Sequence, residues 1–287
     1  MAYPLIDDLT GGWLVADGRL SRADSRDAEG FSRPVTEPMY YEVIRVLRGV
    51  PLFWEDHMAR LSRSVAGAFP VDAQGLRRDA LRLLEAEGRD QCNLRIVLTG
   101  RHSVLHLGPY YYPSEGMIEH GVACGLLSWE RETPNIKTVR EDYKRAVAAA
   151  FSAGGPDGRP FEILLVDREG RFTEGSRSNL FFVRDGTVYT APDDRILLGI
   201  TRSHVHKAVL EAGFRLETAM FTYDELVAGA VSAAFLTGSP IDVLPVARIG
   251  ALELDPADPV VRAVRRRYAA ILDDYVRASA PEGGAGR

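Results

Sequence analysis

The stretch Phe172-Thr173-Glu174-Gly175-Ser176-Arg177-Ser178-Asn179 sets one carboxylate between two hydrophobic runs, Glu162-Ile163-Leu164-Leu165-Val166-Asp167 before it and Leu180-Phe181-Phe182-Val183 after it. Short apolar runs rich in branched and aromatic side chains, bounded by small turn-forming residues, read as strands. The unit is then a strand, a turn and a strand that hold one acid near a core. An exposed hairpin acid beside Arg177 has the same local spelling. If Glu174 is buried it needs a partner, because an unpaired charge away from water costs several kcal/mol.

Composition limits what that acid can serve. The 287 residues suffice for one large domain or two modest ones, each with its own core. With 46% hydrophobic and 26% charged residues, the chain has the balance of an ordinary globular protein. A net charge of -5 without a basic block argues against tracking nucleic-acid phosphates. No apolar run approaches a membrane span, and Asp7 and Asp8 interrupt any signal-peptide pattern. Cys92 and Cys124 lie in apolar surroundings outside any C-x-x-C, as reduced core thiols of a cytoplasmic protein do. His204 and His206 point to different faces of a helix, so no metal site is expected. Neither G-x-G-x-x-G nor G-K-[ST] occurs, which disfavours a glycine-loop kinase or a dinucleotide fold.

Before the central stretch, residues 1–35 read as loop with one strand near 12–15. Residues 41–47 alternate as a strand, Arg48-Gly49 makes a turn, and Pro51-Leu52-Phe53-Trp54 is the return strand. Glu55 and Asp56 open a helix, and a second helix over 73–88 turns Leu76, Leu81, Leu83 and Leu84 inward. A strand over 92–99 follows, then a loop over 101–107. The Pro/Gly-bracketed aromatic stretch 108–116, with Tyr110-Tyr111-Tyr112 inside it, places a boundary between domains at 1–116 and 117–287. After it come a strand over 122–127, a helix over 141–153 ended by Gly154-Gly155-Pro156, and a strand over 187–190. Beyond these lie helices over 201–212 and 224–228, a strand over 233–240 and an amphipathic helix over 260–276. The Gly/Ala-rich tail 278–287 reads as disordered.

The octet around Glu174 resembles the T-E-G-x-x-S-N signature of the class IV aminotransferases, the pyridoxal 5'-phosphate (PLP) enzymes of fold type IV. Tyr41-Glu42-Val43, Arg60-Leu61, Lys137 within Ile136-Lys137-Thr138, and the segment from Leu198 to Arg202 match further family segments in the family's order. The resemblance runs from Tyr41 to about Val246. It implies an α+β, two-domain, D-amino acid aminotransferase-like fold. The first domain is α+β, the second a PLP-binding, barrel-like α/β domain, with the cofactor in the cleft between them and a homodimer completing each site.

On that resemblance Lys137 forms the Schiff base with PLP, and Glu174 pairs with the protonated pyridine nitrogen. Arg60, the backbone of Ile200 and Thr201, and the Ser239 hydroxyl bind the phosphate, and Leu197 packs on the ring. The residue types suit the work. A lysine amine can have its pKa lowered, a guanidinium makes a two-toothed phosphate contact, and a helix start presents N–H groups to an anion. Singly, each has a plainer reading: a solvated lysine, a surface arginine, a capped helix start, a core leucine. Lys144 is the rival lysine, inside the helix over 141–153. Tyr41, His106 and Thr237 are the substrate candidates. Asp142 stands where branched-chain enzymes place a tyrosine, with Tyr143 next to it. Pro240 has no N–H where those enzymes offer one to substrate.

The activity implied is an aminotransferase, moving an amino group between an amino acid or related amine and a 2-oxo acid. A 4-amino-4-deoxychorismate lyase, which releases pyruvate, shares the fold and cofactor residues. A noncatalytic PLP-binding relative is the third possibility.

Overall fold

The computed structural model of the chain describes residues 3–110, 112–138, 140–154 and 158–279. It forms two compact units, each mixing helices and strands. The first comprises the described residues of Met1–Tyr111, Ile136–Glu141 and Leu272–Arg287, the second Tyr112–Asn135 and Asp142–Ile271.

In the first unit β1 (Tyr3–Pro4) and β4 (Pro34–Val35) pair as a small ribbon. β2 (Trp13–Ala16), β3 (Arg19–Arg22), β5 (Tyr40–Leu47), β6 (Val50–Pro51), β7 (Gln91–Leu98) and β8 (Ser103–Gly108) form an antiparallel sheet in the order β3-β2-β8-β7-β5-β6. Between β3 and β4 lies the short helix α1 (Arg26–Glu29), capped by Ser25. Helices α2 (Trp54–Ser64) and α3 (Ala73–Glu87) cover one face, where Ile44, Val46, Leu94, Ile96, Leu105 and Leu107 meet Met58, Leu61, Ala80 and Leu83. The other face carries Leu14, Val97 and Val104, with Tyr41 packed against them. Strand alternation therefore sends Glu42 toward α2 and Tyr41 away from it.

Several expectations are corrected here. Residues 101–107 are not a loop. β8 places Val104 and His106 on one face and Leu105 and Leu107 on the other, and because both faces are covered no polar alternation marks it. The loop is confined to the Thr99 turn, whose hydroxyl accepts from the amides of Arg101 and His102. Residues 19–22, expected as loop, form β3, because Asp17 and Gly18 both take positive φ, 49° and 77°, and close a two-residue hairpin. The return strand after Gly49 ends at Pro51. Phe53 is left-handed with φ 52° and Trp54 begins α2, its amide donating to the Tyr275 hydroxyl. Leu81 is 48% exposed, and Ala80 takes the inward position one turn after Leu76.

The second unit carries a mixed sheet. Its strands are β9 (Val122–Ser128), β10 (Glu162–Val166), β11 (Phe172–Gly175), β12 (Asn179–Arg184), β13 (Thr187–Thr190), β14 (Arg215–Thr218), β15 (Ala233–Gly238) and β16 (Asp242–Ile249), in the order β11-β10-β9-β16-β15-β12-β13-β14, with β17 (Leu252–Glu253) on β16. Its helices are α4 (Glu115–His120), α5 (Glu141–Ala153), α6 (Ile200–Glu211), α7 (Tyr223–Val227) and α8 (Pro259–Ser279), which runs past Ile271. Glu174 lies inside a strand rather than in the turn, which is confined to 175–178. α4, β14, β16 and β17 add to the expected elements. Tyr110 and Tyr112 donate to Gln91 and Asp242, whereas Tyr111, Gly155-Pro156 and the tail from 280 lie outside the described residues. No helix of the described residues is long and apolar enough to cross a membrane.

Candidate active site

Every residue of the central stretch is held by a specific contact. The Thr173 hydroxyl donates to the Leu165 carbonyl at 3.3 Å. The buried Glu162 carboxylate then gathers the turn, accepting from Ser176 Oγ at 2.6 Å and Ser178 Oγ at 2.9 Å, while the Gly175 amide donates to the Ser178 carbonyl at 2.8 Å. Glycine is required at 175, because a Cβ there would lie 2.1 Å from Ser178 Oγ. This folding back aims Glu174 inward, where it is 2% exposed.

Leu197, Asn179 and Arg131 each bring a donor to the Glu174 carboxylate. The Leu197 amide lies 3.3 and 3.2 Å from its two oxygens, Asn179 Nδ2 lies 3.2 Å from Oε2, and Arg131 Nε lies 2.5 Å from Oε1. Arg131 also lies 4.8 Å from the centre of the Tyr143 ring and donates to its hydroxyl, which donates in turn to the Ser176 carbonyl at 2.8 Å. Asn179, Arg131 and Tyr143 are therefore site residues that sequence reasoning left without a role. Asn179 lay inside the signature itself. Arg131, in the run Trp129-Glu130-Arg131-Glu132-Thr133, has the spelling of a solvated loop.

Asn179 extends the cluster. Its amide also donates to the Leu197 carbonyl at 2.8 Å, which fixes the loop leading to α6. The N-cap of α6 is Gly199, which offers no side chain to the first turn, and that turn contains no acid. The amides of Ile200 and Thr201 thus stand at a helix start with the dipole behind them. Across the sheet, Asn179 pairs with Thr237, whose hydroxyl is fully buried with no hydrogen-bond partner among the described residues. Ser239 follows two residues on, half-buried.

These features fit PLP. A buried carboxylate suits a protonated ring nitrogen, an uncapped helix start suits a phosphate, and an orphaned hydroxyl at the end of β15 needs a partner the protein does not supply.

The other expected residues lie in the first unit. Lys137 is half-buried rather than solvated, with its Nζ 4.6 Å from the centre of the Tyr41 ring and its amide donating to Ser64 Oγ at 3.4 Å. Thr138 bridges Tyr40 on β5, which anchors the segment. Lys144, the rival, is exposed on α5. Arg95 lies across the strands from His106, 5.1 Å from the Tyr41 ring centre and paired with Asp7 at 2.8 Å. His106 is wholly buried, and burial pushes its pKa down to about 4. Arg60 is buried too, and presents Nε and Nη2 to the Glu42 carboxylate, which also meets His57 Nδ1 at 2.7 Å. Burial raises the Glu42 pKa, but Arg60 and His57 outweigh it and hold the group at about 2. The structure thus brings Lys137 to Tyr41 and Arg95 in one unit, and Glu174 to Leu197, Asn179 and the start of α6 in the other.

Among known proteins, the model of the family described as amino-transferase class IV matches residues 39–249. The chain is 28% identical over 177 residues to the branched-chain-amino-acid aminotransferase of Pseudomonas aeruginosa, an alignment covering 59% of this chain and 56% of that protein. It is 26% identical over 235 residues to the D-alanine aminotransferase of Bacillus licheniformis, covering 73% of this chain and 78% of the relative. Its fold matches the crystal structure of a branched-chain amino acid aminotransferase with pyridoxamine 5'-phosphate, with a TM-score of 0.78, 22% identity, and coverage of 94% and 98% of the two chains. It also matches the branched-chain aminotransferase of the archaeon Thermoproteus uzoniensis with norvaline, with a TM-score of 0.77, 22% identity, and coverage of 93% and 98%.

Proposed function

We propose that this chain, which belongs to the class IV aminotransferases, is a PLP-dependent aminotransferase that moves an amino group from an amino acid or related amine to a 2-oxo acid. The observation that carries the reading is Glu174, a buried carboxylate joined through Asn179 and Leu197 to the uncapped start of α6. One acid and one anion cup tied by a single amide match a ligand with a cationic nitrogen at one end and a phosphate at the other.

When bound, PLP supplies the aldehyde that takes the amino group and the ring that accepts electrons freed at the substrate carbon. The chain supplies the rest. Glu174 would keep the ring nitrogen protonated. The Ile200 and Thr201 amides, the Ser239 hydroxyl and Arg60 would hold the phosphate, and Leu197 would pack on the group. Lys137 would hold the group through Nζ and, once released, would carry the proton to and from the substrate Cα. Glu42 and His57 fix Arg60 for its part. Tyr41 and Thr237 are the substrate-facing candidates, and His106 stays with them although it is buried.

By name the relatives act on branched-chain amino acids and on D-alanine, and Pro240 argues against a standard branched-chain pocket. We assign a cytoplasmic homodimer, with the division into domains at 116, and sedimentation of the purified protein tests the dimer.

The deciding experiment is a visible spectrum before and after borohydride, with mass mapping of the reduced product. A yellow band that bleaches, with the PLP mass on Lys137, supports the reading, and an amino-donor screen against pyruvate and 2-oxoglutarate then names the substrates. A colourless protein that takes up no PLP overturns it. Pyruvate released from aminodeoxychorismate without an acceptor would replace the transferase with a lyase.

A further inference from the structure

The first turn of α6 carries a buried charge at its positive end. Arg202 is the third residue of the helix and is 5% exposed. A cation there opposes the helix dipole, and burial pushes its pKa down. The chain that leaves β13 holds the guanidinium. Nη1 lies 2.8 Å from Asp193 Oδ1, Nη2 donates to the Ala191 carbonyl at 3.2 Å, and Nε donates to Thr190 Oγ1 at 3.4 Å. The Thr190 hydroxyl donates in turn to the Leu180 carbonyl at 3.2 Å. Leu180 follows Asn179 on β12, so the helix start is tied to that strand from two sides. Ahead of the helix, Asn179 donates to the Leu197 carbonyl at 2.8 Å; inside it, Arg202 reaches through Thr190 to Leu180. Gly199 lies between the two ties, and a Cβ on it would come within 2.0 Å of Asn179 Oδ1 and 3.4 Å of Arg202 Cβ.

We infer that Arg202 is a positioning residue of the phosphate cup: it clamps the end of β13 to the first turn of α6, aims the Ile200 and Thr201 amides at an anion, and adds its own charge to their pull. The inference rests on the PLP reading of the α6 start. An apolar side chain would pack a helix start without the cost of a desolvated cation set against the dipole, so the charge has a use beyond packing. Amides bind an anion only as well as they are aimed. Helix ends fray, and with no side-chain cap at Gly199 the first turn of α6 depends on ties made from outside the helix. The planar fork of an arginine meets a carboxylate, a carbonyl and a hydroxyl together, which a lysine cannot do.

The test uses the full chain freed of cofactor, as wild type, R202K and R202Q, and titrates each with PLP and with pyridoxal, which lacks the phosphate. Loss of any buried arginine lowers the melting temperature, so the preference for PLP over pyridoxal is the readout. R202Q should bind PLP roughly tenfold more weakly than wild type, with pyridoxal binding unchanged. R202K keeps the charge but not the fork, and should lie between the two with a loss of roughly threefold. It carries the test alone should R202Q fail to fold. Equal losses for PLP and pyridoxal would overturn the inference, because Arg202 would then hold the fold as a whole rather than the cup. Wild-type PLP affinity in either variant would overturn it as well. A wild-type chain that binds PLP no better than pyridoxal would overturn the phosphate assignment of the α6 start. A wild-type chain that takes up neither compound would overturn the cofactor reading, and the inference with it.

Discussion

Asn179 donates through Nδ2 to Glu174 Oε2 at 3.2 Å, and the same NH2 group reaches the Leu197 carbonyl at 2.8 Å. One amide therefore sets the acid and the loop that opens α6 in a fixed relation. Asn179→Asp would put a second carboxylate against the first and remove both donated bonds. PLP affinity should fall about tenfold to a hundredfold, since lost hydrogen bonds to a charged group are worth about 1.5–3 kcal/mol. A PLP titration measures it, and an unchanged dissociation constant would show that the amide is not the coupling element.

Gly199 owes its place to that same side chain. Its φ of -68° is open to any residue, yet a Cβ there would lie 2.0 Å from Asn179 Oδ1. The contact is with a side-chain tip, which could rotate away if it were free. The Asn179 amide is committed to Glu174 and Leu197, so rotation breaks both bonds. Gly199→Ala should cost about 1–3 kcal/mol of stability and weaken PLP binding in parallel. Urea denaturation with and without PLP reads both, and a variant as stable as wild type would mean the amide yields without loss.

Lys137 and Lys144 are separated by chemistry rather than by distance along the chain. Lys137 is half-buried against Tyr41, Lys144 exposed on α5. Lys137→Ala should lower turnover by at least ~100-fold, the usual loss when a proton-transferring group is removed, and borohydride should no longer fix PLP on the chain. Lys144→Ala should change neither result. A borohydride adduct that survives Lys137→Ala would move the anchor elsewhere.

Much of this was legible before the structure. The alternation of β5, the helical spacing of α3 and the residues after Phe172 gave those elements and the inward acid. Where burial covers both faces of a strand, as for β8, alternation carries no signal, and 101–107 read as a loop. β3 was hidden by its charges, although Asp17-Gly18 is a hairpin turn signal. Arg131 could not have been found locally. Nothing in Trp129-Glu130-Arg131-Glu132 says which carboxylate it meets, because that contact joins residues 43 positions apart. Glu42 is a similar case: its partners lie one helix away.

The Glu42 cluster makes acid stability the sharpest consequence of the first unit. Glu42 is wholly buried, and Arg60 and His57 hold its pKa at about 2 against an ordinary 4.5. A folded-state pKa below the unfolded one means stability that is fully present above pH 4.5 and is lost as pH falls from there through 2. The amount at stake is on the order of 3 kcal/mol. His57 acts in an earlier window. Burial lowers its pKa from 6.5, so the folded state takes up this proton less readily than the unfolded chain and stability begins to fall as pH drops below 6.5. Glu42→Gln should lower the melting temperature at neutral pH, because Arg60 loses its buried ion pair with Glu42, but it should flatten the further loss below pH 4.5. His57→Gln should leave that lower step in place while removing the step that starts near pH 6.5. Melting curves from about pH 7 to about pH 2 distinguish the two. Parallel curves for wild type and Glu42→Gln below pH 4.5 would mean that the acid transition belongs to other carboxylates, and that Arg60 is positioned by something other than its ion pair with Glu42.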